Sequence, residues 1–484
     1  MSYRSSFETY GEPDLPDYIY YNANIINNTT NDLGTLLVAS QDPQIRFNET
    51  RDAALVKDAS QYHFSIIRFT MNGSGRNLPL FIPSVQIGQA DPNKTIYSVA
   101  VTYQQKWNLS GGQTLSLAIA PPVTFVTYAP EILNTAVAPV PGPPTTQQDL
   151  STNYYYVYTY QHWLDLVNAA IQTAYSTLWT ATQTAWNAGV VALGQTLVAN
   201  PFPFPTINDF LALVNPPQII YSPTTQLFTI YGDAEGYGTR IGAFINAPYV
   251  GPATPGRNTA SVNRIFMNAN MWGLFANFPF QYWNSTTITS PAGQPAFTAG
   301  GVPEGYAYEI LFPNLLYTNV LNQLANAAYV PATPYQQRKN LWVNTQGFPS
   351  TDQLWSPIGS IVFTTTLLPI RNEATGQPIV LGTGNLGNAA TSQSAFTPII
   401  TDIAEDLTVL GSATYKSFTY YNPSAEYRMS DLSSSHQDIR SIDIQVYWRN
   451  RLDNQLYPVR MLNQSTVSIK CMFRHKRVRG GKGE

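Results

Sequence analysis

The sequence predicts a mainly β protein: a single jelly-roll β-sandwich built from both chain ends, with a large central insertion domain containing one long helix. Three observations carry this. Period-two apolar alternation recurs near both termini, one apolar repeat of three to four residues stands in the middle, and only 11% of the 484 residues are charged. Ordinary soluble domains carry about a quarter charged residues. Here 31 Tyr, 36 Pro and many neutral polar residues take their place. Such a surface desolvates readily against another subunit. Buried interfaces are enriched in aromatics and depleted in Lys, Glu and Asp, so the composition predicts a subunit of a large assembly.

Residues 1–45 read as an extended N-terminal arm. Pro13, Pro16 and the run from Asp17 to Thr30 show no helical period, and exposed Tyr and Ile on such an arm suggest docking on a neighbour with ordering on assembly. Strand signals begin at Tyr62 and run to Met71, ended by Gly73 and Gly75. Leu78–Gly88 follows as an edge strand or a bulge, because its prolines cannot donate to a ladder. Tyr97, Val99, Val101 and Tyr103 share one face of a strand, and Pro121–Tyr128 gives a fourth. The Pro/Gly/Ala stretch Ala136–Pro144 separates this block from the next. The expected division is a jelly roll from 46–130 and 400–475, an insertion domain at 131–399 and a basic flexible tail at 476–484.

Within the insertion, Trp163, Val167, Ile171, Ala174, Leu178 and Ala181 recur at helical spacing and predict a helix over 159–187, with Pro201–Pro205 as the stop. A second short helix is expected at 207–214, a strand–turn–strand over 218–231, further strands at 306–312 and 360–369, and a Gly-rich loop at 381–390. Alternation returns at the C-terminal end. Ile442, Ile444, Val446 and Trp448 face one way, as do Val467, Ile469, Cys471 and Phe473, with Ser468, Lys470 and Arg474 facing out.

Catalytic motifs are weak. His63, His162, His436 and His475 have no metal-ligand spacing, and the single Cys471 excludes a disulfide framework. Ser433–Asp438 gathers Ser, His and Asp within six residues, whereas a triad collects its groups from separated loops. The Gly382, Gly384, Gly387 pattern lacks the strand and helix a dinucleotide loop needs. The expectation is a protein that is not an enzyme and needs no cofactor or metal. Trp163–Val198 is interrupted by Asp165, Asn168, Gln172, Gln183 and Asn187, so no membrane span is expected. Met1–Tyr10 lacks the apolar core of a signal peptide, which suggests synthesis in the cytosol. The Tyr154–Tyr160 run has no interleaved cations and reads as packing. Arg474, Lys476, Arg477, Arg479 and Lys482 stand against Glu484 alone, leaving four excess positive charges at the end of a chain of net charge −3. They are candidate contacts to a genome or an acidic internal partner.

Two segments carry a family resemblance. Ile45–Arg51, with Phe47, Glu49 and Arg51, precedes the first strong strand; Asn454–Arg460, with Leu456, Pro458 and Arg460, precedes the last. Together they resemble the penton base of adenoviruses and the penton-like minor capsid proteins of Polinton-type viruses. The resemblance implies a homo-oligomer, five copies closing a capsid vertex beside neighbouring major capsid proteins, located in the virion and assembled in the host cell. No Arg-Gly-Asp triplet occurs, so integrin-type receptor binding is not implied. A double jelly-roll major capsid subunit is the rival within the structural class. A secreted carbohydrate-binding or hydrolytic β-protein is the rival outside it.

Overall fold

The computed structural model describes residues 16–27, 44–72, 78–131, 148, 150, 153–203, 205–207, 216–233, 262–284, 287–288, 297–298, 304–311, 314–317, 340–349, 355–370, 373–374, 396–403, 418–421, 430–432, 436–452, 454–461 and 465–476. The chain opens with β1 (Tyr18–Ile26), β2 (Arg46–Thr50) and β3 (Tyr62–Asn72). A long excursion follows. It contains β4 (Lys94–Asn108), β5 (Thr114–Ile119), β6 (Thr124–Thr127), the helix α1 (Tyr160–Ala192), β7 (Gln218–Ser222), β8 (Leu227–Asp233) and β9 (Val262–Met267). The short helix α2 (Ala269–Leu274), β10 (Phe280–Tyr282), β11 (Thr287–Ile288), β12 (Phe297–Thr298), β13 (Tyr308–Ile310), β14 (Asn314–Tyr317) and β15 (Asn340–Thr345) complete it. The return path holds β16 (Ile358–Thr364), β17 (Glu373–Ala374), β18 (Phe396–Thr397), β19 (Ile399–Ile403), β20 (Phe418–Tyr421), β21 (Ser430–Asp431), β22 (Ser441–Asn450), β23 (Leu456–Pro458) and β24 (Thr466–His475).

Two antiparallel sheets form the jelly roll, ordered β1-β24-β3-β20 and β19-β16-β22-β2. Lettering β1, β2, β3, β16, β19, β20, β22 and β24 from B to I in chain order, these are B-I-D-G and F-E-H-C. That is the eight-stranded double Greek key of a jelly roll. Alternation fills the space between them: Val467, Ile469, Cys471 and Phe473 of β24 and Ile442, Ile444, Val446 and Trp448 of β22 are all in one buried cluster. Phe64 and Phe473 pack at 4.8 Å within one sheet, and Phe69 meets Phe363 edge-on at 5.0 Å across the sandwich.

The excursion has its own core. The sheet β10-β13-β9-β4-β5, with β6 also on β4, and the sheet β14-β15-β8-β7 surround α1. Trp163, Val167, Ile171, Ala174 and Leu178 are buried there, and Trp163 lies edge-on to Phe81 at 5.0 Å and Tyr97 at 5.2 Å. Thr159 caps the helix by accepting from the His162 amide at 3.2 Å. The helix runs to Ala192, five residues past the expected end at 187 and short of Pro201: Gly194 takes φ +69°, and Gln195 N donates to Val190 O at 3.0 Å, the Schellman closure that glycine permits. The Tyr154–Tyr160 run stitches the two cores together. Tyr156 and Tyr158 enter the jelly-roll cluster, while Tyr154, Tyr155 and Val157 enter the other.

Four expectations change. The segment expected as an arm at 1–45 carries β1, which pairs residue by residue with β24 from Tyr18–Arg474 to Ile26–Thr466. The first jelly-roll block ends at Asn72 rather than 130, because β4, β5 and β6 join the other sheet; the second begins at Ile358 rather than 400. Alternation identifies a buried face but not the sheet that buries it. In β4, moreover, Ala100, Thr102 and Gln104 are buried opposite Val99, Val101 and Tyr103. Leu78–Gly88 makes isolated bridges at Phe81–Val157 and Val85–Thr95 rather than a strand. The strand expected at 306–312 spans only Tyr308–Ile310. The expected helix at 207–214 and the loop at 381–390 lie largely or wholly outside the described residues.

Candidate functional site

The first family-like segment converges on one tyrosine. β1 and β2 are the edge strands of the two sheets. Tyr21 of β1 points toward β2, where its hydroxyl donates to Glu49 Oε2 and its ring meets Phe47 edge-on at 5.9 Å. Arg51 Nε donates to Glu49 Oε1 at 2.8 Å, and its guanidinium carbon lies 5.2 Å from the Tyr21 ring centre. Burial, reinforced by Glu49, pushes the Tyr21 hydroxyl up to about 12. Hydrogen bonds from Tyr21 and Arg51 hold the Glu49 carboxyl below its ordinary value. Phe47, Glu49 and Arg51 thus form a polar clamp between the two sheets.

The second segment lies beside the first. Leu456 and Pro458 pair in β23 with Arg449 and Tyr447 of β22. β2 pairs with the preceding part of the same strand, from Ser441 to Gln445. The two segments meet where Gln44 bridges Arg460 and Ile45 N donates to Val459 O at 2.9 Å. Both therefore line one edge of β22. Asn454, at φ +56°, makes the reversal that permits this.

The cationic residues mark one pole. β24 runs antiparallel to β3, so His475 lies opposite Tyr62 while Thr466 lies opposite Asn72, where the excursion departs. The end of β24 and the start of β1 therefore sit at the pole opposite the insertion. There the Arg474 guanidinium lies 6.0 Å from the Tyr18 ring centre. Lys476 N donates to Gln61 O at 2.6 Å and Nζ lies 3.4 Å from Asp431 Oδ1. Arg477, Arg479 and Lys482 lie outside the described residues. Sequence reading of the tail missed that Arg68 of β3 lies directly across from Lys470 of β24; that pairing depends on register, which no local pattern announces.

Catalytic geometry is not assembled by the described histidines. His436 Nδ1 lies 3.0 Å from Asp58 Oδ2 and 3.3 Å from Ser60 Oγ. Both partners meet the same ring nitrogen, whereas a relay needs opposite nitrogens. Burial pushes the Cys471 thiol up, making it a poor nucleophile. Among the described residues no group of three acidic, His or Cys side chains is placed to hold a metal, and no helix is long and apolar enough to cross a membrane.

Comparison with known proteins agrees with this architecture. A chain in the structure of the Sputnik virophage, solved by cryo-electron microscopy, matches 96% of this chain and 99% of its own length at TM-score 0.59 and 19% identity. A mavirus penton protein crystal structure matches 95% and 100% of the two chains at TM-score 0.45 and 14% identity. In sequence, the uncharacterized protein V18 of Sputnik virophage is 29% identical over 178 residues, 36% of this chain and 91% of that protein. A family profile, the Sputnik minor capsid protein V18/19, matches residues 19–475. From β1 to β24, the chain belongs to the Sputnik minor capsid protein V18/19 family.

Proposed function

We propose that five copies of this minor capsid protein close a capsid vertex, with the jelly rolls side by side, the insertion outward and both termini inward. Family membership makes the role structural rather than enzymatic and the location the virion capsid. The observation that supports the vertex reading is the polarity of a single jelly roll. The whole span between β3 and β16 leaves one pole, and Tyr18 with Arg474 lies at the other. A double jelly roll would require a second B-I-D-G and C-H-E-F pair, and the remaining described strands are ordered differently. Association is the mechanism. Neutral polar and aromatic surface forms weak contacts that symmetry repeats between copies and against major capsid neighbours. Peptide tags on intact particles test the orientation: a tag in the insertion after Ser110 should bind its antibody, and one at the C-terminus should bind only after disruption. The reverse pattern contradicts the proposed orientation.

A further inference from the structure

We propose that the outer face of β1-β24-β3 binds nucleic acid without regard to sequence, contacting phosphates through Arg68, Lys470, Arg474 and Lys476 and stacking on Tyr18 and Tyr20. This deepens the inward placement of the termini proposed above by giving that pole a ligand. Register builds the surface. Asn22, Lys470 and Arg68 form one rung across the three strands; Tyr20, Met472 and Ser65 form the next, where Tyr20 is exposed and Met472 and Ser65 are buried; Tyr18, Arg474 and His63 form the third. Lys470 and Arg68 are like charges directly opposite one another, an arrangement that destabilises a sheet unless something else balances it. Neither has an ion pair among the described residues, and Arg68 Nε is buried without a hydrogen-bond partner. The three strands contain no Asp or Glu at any position. Asp431 meets the face at one end, beside His63 and Lys476. This concentration of cations lies in a chain whose net charge is −3, so it is a local feature and calls for an anionic partner.

The aromatic rings favour nucleic acid over an acidic protein. Tyr18 and Tyr20 are 47% and 56% exposed, parallel within 14° and 6.4 Å apart. Lys470 Nζ lies 5.1 Å from the Tyr20 ring centre, and Arg474 accompanies Tyr18 in the same way. Stacking faces beside cations suit a repeating phosphate–base polymer. Ser468, Thr70, Asn22 and Asn24 add hydroxyl and amide groups of the kind that bind phosphates.

The test titrates full-length protein against fluorescently labelled duplex and single-stranded DNA of mixed sequence across a salt series. Wild type should bind both. In Arg68→Gln/Lys470→Gln the slope of log affinity against log salt on duplex should become shallower by about 1.8, since each lost phosphate contact removes about 0.9. Lys470→Gln alone should remove about 0.9 and guards against misfolding at the more enclosed Arg68. Tyr18→Ser/Tyr20→Ser should weaken single-strand binding more than duplex binding. A folded Lys470→Gln protein with unchanged slope overturns the proposal. So does complete loss of binding on deleting residues 477–484 alone, or retention of an acidic polypeptide with no DNA bound. Particle mass is read in the same samples. Five-chain assembly without DNA binding rejects this surface and leaves the vertex reading standing, while DNA binding without assembly does the reverse.

Discussion

At the scale of single residues, two buried side chains decide whether the jelly roll closes. Phe473 is fully buried against Phe64, so Phe473→Ala removes a ring from a packed interior and should cost about 3–5 kcal/mol. Thermal unfolding measures this, and an unchanged midpoint would refute the register of β24. Asp443 is buried on the other side of β22. It accepts from Thr366 N at 2.9 Å, Thr366 Oγ1 at 2.7 Å and Leu367 N at 2.8 Å, fastening the turn after β16. Burial opposes ionisation there, but the hydroxyl and amide donors outweigh it and hold the carboxyl below its ordinary value. A depressed carboxyl stabilises the fold above its unfolded pKa, near 4, and loses that contribution as pH falls through the folded value. Asp443→Asn replaces one accepting oxygen with an amide NH2 that faces hydroxyl and backbone donors, and should cost about 1–3 kcal/mol at neutral pH. The difference from wild type should shrink below about pH 4; a difference that grows on acidification contradicts this assignment.

At the scale of elements, the legible parts were those whose period was unbroken. β22 and β24 alternate cleanly and α1 repeats at helical spacing, and each is buried on the face the pattern marks. β1 was hidden for a physical reason: as an edge strand it exposes Tyr18, Tyr20, Asn22, Asn24 and Ile26, and its inward set includes the small Ala23. Its pairing with β24 joins opposite ends of the sequence, which no window can see. The clamp on Tyr21 was half legible, since Phe47, Glu49 and Arg51 stood out while their partner did not. Because β1 is laddered along its length, amides of the strand that donate to β24 should exchange slowly in isolated subunits, at rates near those of β3. Hydrogen-exchange mass spectrometry reads this directly. Exchange that slows only on assembly would restore the arm reading for Tyr18–Ile26.

At the scale of the whole molecule, low charge and a polar architecture belong together. A chain that is 11% charged gives up electrostatic repulsion between copies, and its aromatic and amide surface is inexpensive to dehydrate at an interface. Two cores divide the labour: the jelly roll places the start of β1 and the end of β24 at one pole, and the insertion builds a separate helix-and-sheet body at the other, with the Tyr154–Tyr160 run as the seam. A closed ring of identical copies requires two different sides on each copy that complement one another. The number of copies is therefore the quantity on which the account rests. Native mass spectrometry of the purified protein should reveal a species of about 270 kDa, five times the 53.6 kDa of one chain. A protein that stays at one chain or assembles with another copy number, at every concentration tested, would contradict the vertex role.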